Sequence, residues 1–190
     1  MTTDFVHLHV HSHYSLLDGL LKPEPLLKKC AEYGMEACAL TDHGNLFGLM
    51  EFYSKAEKYG VKPILGCELY VSPTDRFDKS GKSAREACNH LLVLCENETG
   101  YHNLCKLSSL SYLEGWHYKP RVDMGLLEEY KEGLIASSAC LGGRIPSLLL
   151  AEKYEEAEQA LEQYVGIFGR DNFCIEMMNH GMPEEEKVNP

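Results

Sequence analysis

The sequence of 190 residues contains no apolar run long enough to cross a bilayer. Its apolar runs, such as residues 91–95, are far shorter than the roughly 20 residues that a transmembrane helix needs. The N-terminus also has no basic stretch followed by an apolar one, which is the pattern of a secretory signal. We therefore expect a cytoplasmic protein that makes no contact with a membrane.

Positive charge is scarce, since 18 Lys and Arg against 29 Asp and Glu give a net charge of −11. A protein that gripped nucleic acid over most of its surface would need a basic excess, because affinity comes largely from displacing counterions from phosphates. Only local contact with DNA is compatible with this charge. A hydrophobic share of 44% and a charged share of 25% exclude collagen-like and disordered chains, and the length predicts one domain.

No CxxC pair occurs among the eight cysteines. Most of them lie in apolar runs, such as those around Cys38, Cys95 and Cys174, where a free cysteine behaves as a small hydrophobic residue. We therefore expect reduced and mostly buried thiols.

Short β-like runs alternate with helical patterns, which is typical of β/α proteins. The pattern predicts six strands, at residues 5–11, 37–41, 63–71, 90–95, 134–138 and 173–178. It predicts helices at 23–33, 46–59, 101–113, 124–130 and 146–168, and an exposed polar connection at 72–89. Because the strands are short and similarly spaced, we expect a parallel sheet that curves into a barrel. The last residues, 184–190, look like the start of another helix, so the sequence is expected to stop before the domain is complete.

Four histidines alternate with other residues in the segment FVHLHVHSH at residues 5–13. On a strand of period two their imidazoles would share one face and could bind a common metal ion. An exposed histidine-rich edge strand is the alternative. Imidazole is a suitable ligand for Zn, Fe or Mn.

Further side chains that can bind metals lie at or near the predicted catalytic edge of the sheet, where parallel β/α proteins place their active sites. They are Asp18 in a turn after the first strand, Asp42 and His43 after the second, Glu68 in the third, His90 at the start of the fourth and Cys140 after the fifth. Each has an ordinary alternative, such as a turn, a helix cap, an ion pair or a structural histidine. Together they predict a site for several metal ions, for which hydrolysis of a phosphoester is the natural chemistry.

These segments resemble the PHP (polymerase and histidinol phosphatase) domain family. The resemblance rests on FVHLHVHS at 5–12, YSLLDG at 14–19, ALTDHGN at 39–45 and GCELY at 66–70. The segments NHLLVL, GYHNL, YKPRVD and SSACLGG are more narrowly similar to the PHP domains that begin the alpha subunits of bacterial replicative DNA polymerases.

The resemblance implies a distorted (β/α)7 TIM-like barrel, of which residues 1–190 would form the N-terminal part without the last strand. It implies up to three divalent ions (Zn, Mn or Fe) in the intact domain, with ligands at His9, His11, Asp18, His43, Glu68, His90 and Cys140. The family completes this site with an Asn-Asp-X-His segment on its seventh strand, which the sequence does not contain. Members with a full ligand set act as proofreading 3′–5′ exonucleases, whereas in others the domain only stabilises the polymerase.

The implied partners are the 3′ end of DNA and other replicase subunits, such as a proofreading subunit and the sliding clamp. The polymerase site of such a DNA-directed DNA polymerase would lie beyond Pro190, so this chain alone is expected to be at most a metal-dependent phosphoesterase. A free-standing phosphatase, such as histidinol phosphatase, and a non-catalytic structural domain stay open as alternatives. Arg144, which follows Cys140 closely in the sequence, is a candidate phosphate contact, with a structural role equally open.

Overall fold

The computed structural model describes residues 5–189, with the backbone alone at residue 85. The strands are β1 (Ala37–Leu40), β2 (Lys62–Val71), β3 (Asn89–Cys95), β4 (Arg121–Val122), β5 (Leu134–Ser137) and β6 (Phe173–Cys174). The helices are α1 (Pro23–Glu32), α2 (Leu49–Tyr59), α3 (Ala84–Ala87), α4 (Glu98–Leu113), α5 (Met124–Glu129), α6 (Arg144–Leu150), α7 (Tyr154–Phe168) and α8 (Pro183–Val188). None of the helices in this part of the chain is long and apolar enough to span a membrane.

The strands form a mixed sheet in the order β1-β2-β3-β5-β6, with β4 paired to the end of β2. Strand β1 is parallel to β2, and β6 is parallel to β5. Strand β3, however, is antiparallel to both of its neighbours, β2 and β5. The expectation of an entirely parallel sheet is therefore wrong at β3, because periodicity indicates a strand but not its direction. Among the described residues β1 and β6 do not pair, so the sheet is open and the expected barrel closure is absent.

The predicted first strand is an extended segment with only partial pairing. Its backbone runs parallel to β1, with a single bridge between His7 and Cys38. Thr41 N–H donates to the carbonyl of Val10 at 2.8 Å, but the N–H of Val10 donates to the Thr41 hydroxyl instead of to a backbone carbonyl. A side chain thus replaces a ladder partner, which explains why no regular strand forms.

The predicted long helix at 146–168 is divided into α6 and α7. Glu152 adopts a left-handed conformation with φ 61°, and its N–H donates to the carbonyl of Leu149 at 2.9 Å. The N–H of Lys153 donates to the carbonyl of Leu148 at 2.9 Å, which completes a helix-ending turn of the Schellman type. The other predicted helices are confirmed with ends shifted by one to three residues, and β6 is much shorter than the predicted strand.

Strand β2 separates two hydrophobic clusters. The larger cluster lies between β2, β3 and β5 and the helices α4, α5 and α7, and the smaller one joins β1 to α1 and α2. The last six residues of β2 are all buried, which holds this strand rigidly at the centre of the fold. All eight cysteines are free, as expected, but only four are buried; Cys174 on β6 is exposed, and the other three are partly buried.

The connection between β2 and β3 is largely exposed, as predicted, and folds around a buried arginine. Arg121 on β4 is only 2% exposed. Its guanidinium donates to four backbone carbonyls at 2.7–3.1 Å, those of Arg76, Asp78, Ala87 and Gly115. These acceptors are neutral, so the guanidinium forms hydrogen bonds but no ion pair with them. It is a hub of hydrogen bonds that fixes the connection.

Replacing this hub will destabilise the protein. An Arg121→Met substitution keeps the aliphatic stem but leaves four carbonyls without a donor, and each unsatisfied buried group costs about 1–3 kcal/mol. We expect the free energy of unfolding, measured by urea denaturation, to fall by about 3 kcal/mol or more. Lys106→Met, at an exposed position of α4, serves as the control and will change it by less than about 0.5 kcal/mol. A loss below about 1 kcal/mol for Arg121→Met would contradict the role given to the hub.

Candidate metal centre

The centre of the site is the carboxylate of Glu68, which is completely buried. Glu68 lies on β2 between Cys67 and Leu69, which both belong to the larger hydrophobic cluster. Transferring a carboxylate from water to the protein interior is strongly unfavourable unless it is paired or binds a metal ion. The partners of Glu68 therefore decide what this part of the fold can do.

Four imidazoles and one thiol surround the two oxygens of Glu68. Oxygen Oε1 is approached by His9 Nε2 at 3.3 Å, His90 Nδ1 at 3.0 Å and Cys140 Sγ at 3.4 Å. Oxygen Oε2 is approached by His11 Nε2 at 3.6 Å and by His43 Nδ1 in closer contact. Donor atoms of His9, His11 and Glu68, and likewise of His43, Glu68 and His90, lie within 4.8 Å of one another.

Asp18 extends the cluster toward solvent. Its Oδ2 lies 3.0 Å from His43 Nε2, while more than half of its side chain is exposed. The loop that carries Asp18 is anchored by buried Asp42, whose oxygens accept hydrogen bonds from the hydroxyls of Ser12 and Ser15 at 2.8 and 2.7 Å. Gly19 closes the loop so tightly that a Cβ there would overlap the carbonyl of Ser12. Asp42 is therefore an anchor of the loop and not a helix cap, since α2 begins only at Leu49.

All seven side chains predicted as metal ligands thus meet at one edge of the sheet. The antiparallel direction of β3 explains the position of His90. In a parallel strand, a residue near the start would lie at the opposite edge from Glu68 and Cys140. Because β3 is antiparallel to its neighbours, its beginning lies beside the carboxyl ends of β2 and β5. His90 forms a β-bridge with Gly143, just after β5.

Glu176 is a member of this site that the sequence analysis missed. Its Oε1 lies 2.8 Å from His9 Nδ1, and its Oε2 accepts a hydrogen bond from the Ser137 hydroxyl at 2.7 Å. A carboxylate on the far nitrogen of a histidine fixes the ring so that the other nitrogen faces a metal. The available signal was an acidic residue at the end of the sixth predicted strand, as Glu68 is in the third.

The charges of the cluster are strongly coupled. Burial lowers the pKa of His9, but hydrogen bonds to Glu176 and Glu68 outweigh burial and raise it to about 9. Burial raises the pKa of Glu68, but the contacts with His43, His9 and His90 hold it well below its usual range. Burial lowers the pKa of His11, and burial together with the Glu68 charge raises the pKa of Cys140 to about 12. The buried negative charge is thus compensated by protons on its neighbours.

The donor set fits a divalent metal ion. The buried atoms Glu68 Oε2, His11 Nδ1 and His43 Nδ1 have no hydrogen-bond partner among the described residues, and the close contact between Glu68 and His43 lacks hydrogen-bond geometry. A mixture of imidazole, carboxylate and thiol is suited to Zn, Fe or Mn. His and Glu groups that could hold a metal ion are therefore present at this edge.

Arg144 does not join the cluster through any contact among the described residues. Its Nη1 donates to Gln163 Oε1 on α7 at 2.7 Å, because α6 leads the chain away from Cys140. A phosphate-binding role for Arg144 stays a prediction.

Comparison with known proteins identifies the family of the chain. The family model described as PHP domain matches residues 7–180, and the chain belongs to that family. At the level of individual proteins, the chain is 52% identical over 186 residues to DNA polymerase III subunit alpha of Treponema pallidum and 48% identical over 185 residues to that of Borreliella burgdorferi. These matches cover 98% and 97% of the chain but only 16% of each relative.

A solved structure is also similar at low identity. It is a two-domain Bacteroides vulgatus protein whose description names a predicted PHP-like metal-dependent phosphoesterase. The match covers 84% of this chain and 48% of that one, with 16% identity and a TM-score of 0.43.

Glu176→Gln will lower the pKa of His9 in chelator-treated protein. The substitution keeps the shape but removes one of the two negative charges that raise this pKa, so we expect it to fall from about 9 by about one unit or more. An NMR titration of the imidazole protons measures the change. Glu184→Gln, at an exposed position of α8, should leave the pKa of His9 in place. An unchanged pKa in Glu176→Gln would show that Glu176 does not govern the charge of His9.

Proposed function

We propose that residues 1–190 are the N-terminal part of the PHP domain of a bacterial replicative DNA polymerase alpha subunit. We further propose that the cluster around Glu68 is a metal-dependent phosphoesterase site that removes nucleotides from the 3′ end of DNA. The observation that carries the proposal is the gathering of six metal-competent side chains from five segments around the buried carboxylate of Glu68. The similarity to DNA polymerase III alpha subunits supports DNA as the substrate.

The residues that would hold the metal ions are His9, His11, Asp18, His43, Glu68, His90 and Cys140. When bound, divalent ions polarise phosphoryl oxygens and activate water for attack on phosphorus. Glu68 would be the central ligand, because its two oxygens face different imidazoles. Glu176 would hold the ring of His9, and Asp18 would face the substrate at the exposed rim.

The rim of the site supports a nucleotide more than a small phosphate ester. Leu16, Leu17 and Leu20 flank Asp18 and are 89%, 92% and 93% exposed. These apolar side chains belong to the same anchored loop as Asp18, where they would offer a contact surface for a nucleobase. A substrate such as histidinol phosphate would have less apolar surface to place there.

The remaining parts of the proposal rest on the relatives. As part of a replicative polymerase the protein would act in the cytoplasm, with DNA, a proofreading subunit and the sliding clamp as partners. The intact domain would bind up to three divalent ions, which would be Zn, Mn or Fe.

Glu68→Gln tests the proposed site. Removing the central charge should lower metal affinity by about 100-fold or more, because even indirect contacts of a metal site are worth 10–100-fold. Metal content by elemental analysis and release of nucleotides from a 3′-labelled primer should fall together. Glu57→Gln, at an exposed position of α2, is the matched control. If the wild-type protein binds no metal, a non-catalytic structural domain is the function that is left. If it hydrolyses histidinol phosphate but not the primer, a free-standing phosphatase is favoured.

Metal binding will release protons near pH 7.5. His9 has a pKa of about 9 without metal and is therefore protonated at that pH, whereas a metal binds only the neutral imidazole. Calorimetry of Zn²⁺ binding in two buffers of different ionisation enthalpy should show proton transfer to the buffer, and the number of protons should fall as the pH is raised above 9. Equal heats in both buffers would contradict the protonated state of His9.

A further inference from the structure

Lys119 lies beside the metal centre, separated from it by one aromatic ring. Its Nζ is 5.1 Å from the centroid of the Tyr70 ring. That ring is 5.2 Å from the ring of His90 and stacks at 6.2 Å on the ring of His43. Tyr70 follows Glu68 by two residues on β2, so both side chains point to the same face of the strand.

The backbone on both sides of Lys119 is fixed. Gly44 has φ +58°, and a Cβ there would lie 2.8 Å from the Tyr70 ring and 3.1 Å from Pro120 Cγ. Tyr118 adopts φ 61°, and His117 N–H donates to the carbonyl of Lys119 at 3.0 Å, which forms a tight turn. The backbone of Lys119 is thus held between this turn and β4. Its side chain is half-buried.

The ammonium group of Lys119 has no acidic partner. Among the described residues no carboxylate oxygen lies within 4.0 Å of Lys119 Nζ, whereas Arg76 pairs with Glu114 and Asp123. Lys79, nearby in the same connection, donates to three backbone carbonyls. In a chain of net charge −11, a free cation fixed next to the site is suited to bind an anionic group of the substrate.

We propose that Lys119, supported by the Tyr70 ring, is a positioning residue that binds a phosphate of the DNA strand next to the phosphate at the cluster. This inference rests on the proposed function, because it assigns the second contact to the same substrate. Lysine binds phosphate as a point charge, so the contact would be independent of base sequence. Lys119 thereby takes the role that the sequence analysis considered for Arg144.

The test compares Lys119→Met with wild type in the full chain after matching their circular dichroism and metal content. With a single-stranded oligonucleotide we expect KM to rise about 5–10-fold, with kcat retained. The plot of log(kcat/KM) against log[salt] should become shallower by about 0.7, the value for one phosphate contact to a single strand. With bis(4-nitrophenyl) phosphate, which has no neighbouring phosphate, kcat/KM should not change. Lys119→Arg should retain the wild-type salt slope.

Lys62→Met, at the opposite end of β2, removes an exposed lysine and should leave every value as in the wild type. An unchanged salt slope in Lys119→Met, or equal losses on both substrates, would overturn the inference and leave a structural role. If the wild type hydrolyses neither substrate, the proposed phosphoesterase function fails. The role of Lys119 is then tested by fluorescence anisotropy of the oligonucleotide with chelator-treated protein. Lys119→Met should raise the Kd and make the dependence of log Kd on log[salt] shallower. Equal binding by the variant and the wild type would refute the inference.

Discussion

The structure at the candidate site depends on compensating one buried negative charge. Glu68 is completely buried, and its desolvation would be unfavourable by several kcal/mol without partners. The compensating groups come from the extended segment, the turn after β1, the start of β3 and the turn after β5. Protons on imidazoles supply the positive charge in the absence of metal, and a divalent ion can supply it in their place. Folding, proton binding and metal binding therefore draw on the same contacts.

The direction of β3 shows where reasoning from sequence succeeds and where it ends. Hydrophobic patterns predicted β1, β2, β3 and β5 close to their observed bounds, because burial of alternate or continuous apolar residues is a local property. Strand direction depends on how the connection at 72–88 returns across the sheet, and this is a property of tertiary packing. The predicted parallel strand would have separated His90 from Glu68, yet the two residues meet at 3.0 Å because β3 is antiparallel.

The residues of the site were predictable to different degrees. The seven proposed ligands have side chains whose chemistry is visible in the sequence. Glu176 was missed although it falls in the predicted sixth strand, and in the structure it lies just beyond β6, which ends at Cys174. The two candidate cations, Arg144 and Lys119, also show that closeness in sequence does not predict closeness to the site. Arg144 is near Cys140 in the sequence, but α6 carries it toward Gln163. Lys119 is distant in sequence from every proposed ligand and reaches the site only because Pro120, Gly44 and Tyr70 pack together.

Two buried charges of opposite sign illustrate how the fold separates stability from function. Arg121 donates its hydrogen bonds to backbone carbonyls. Carbonyls do not gain or lose protons, so the charge around Arg121 stays the same. Glu68 instead faces imidazoles and a thiol, which are groups that bind a metal ion in their deprotonated form. A polar connection therefore need not be mobile, since Arg121 holds this one through its backbone carbonyls. Because the connection held by Arg121 leads into β3 and His90, this rigid part of the molecule positions one wall of the exchangeable site.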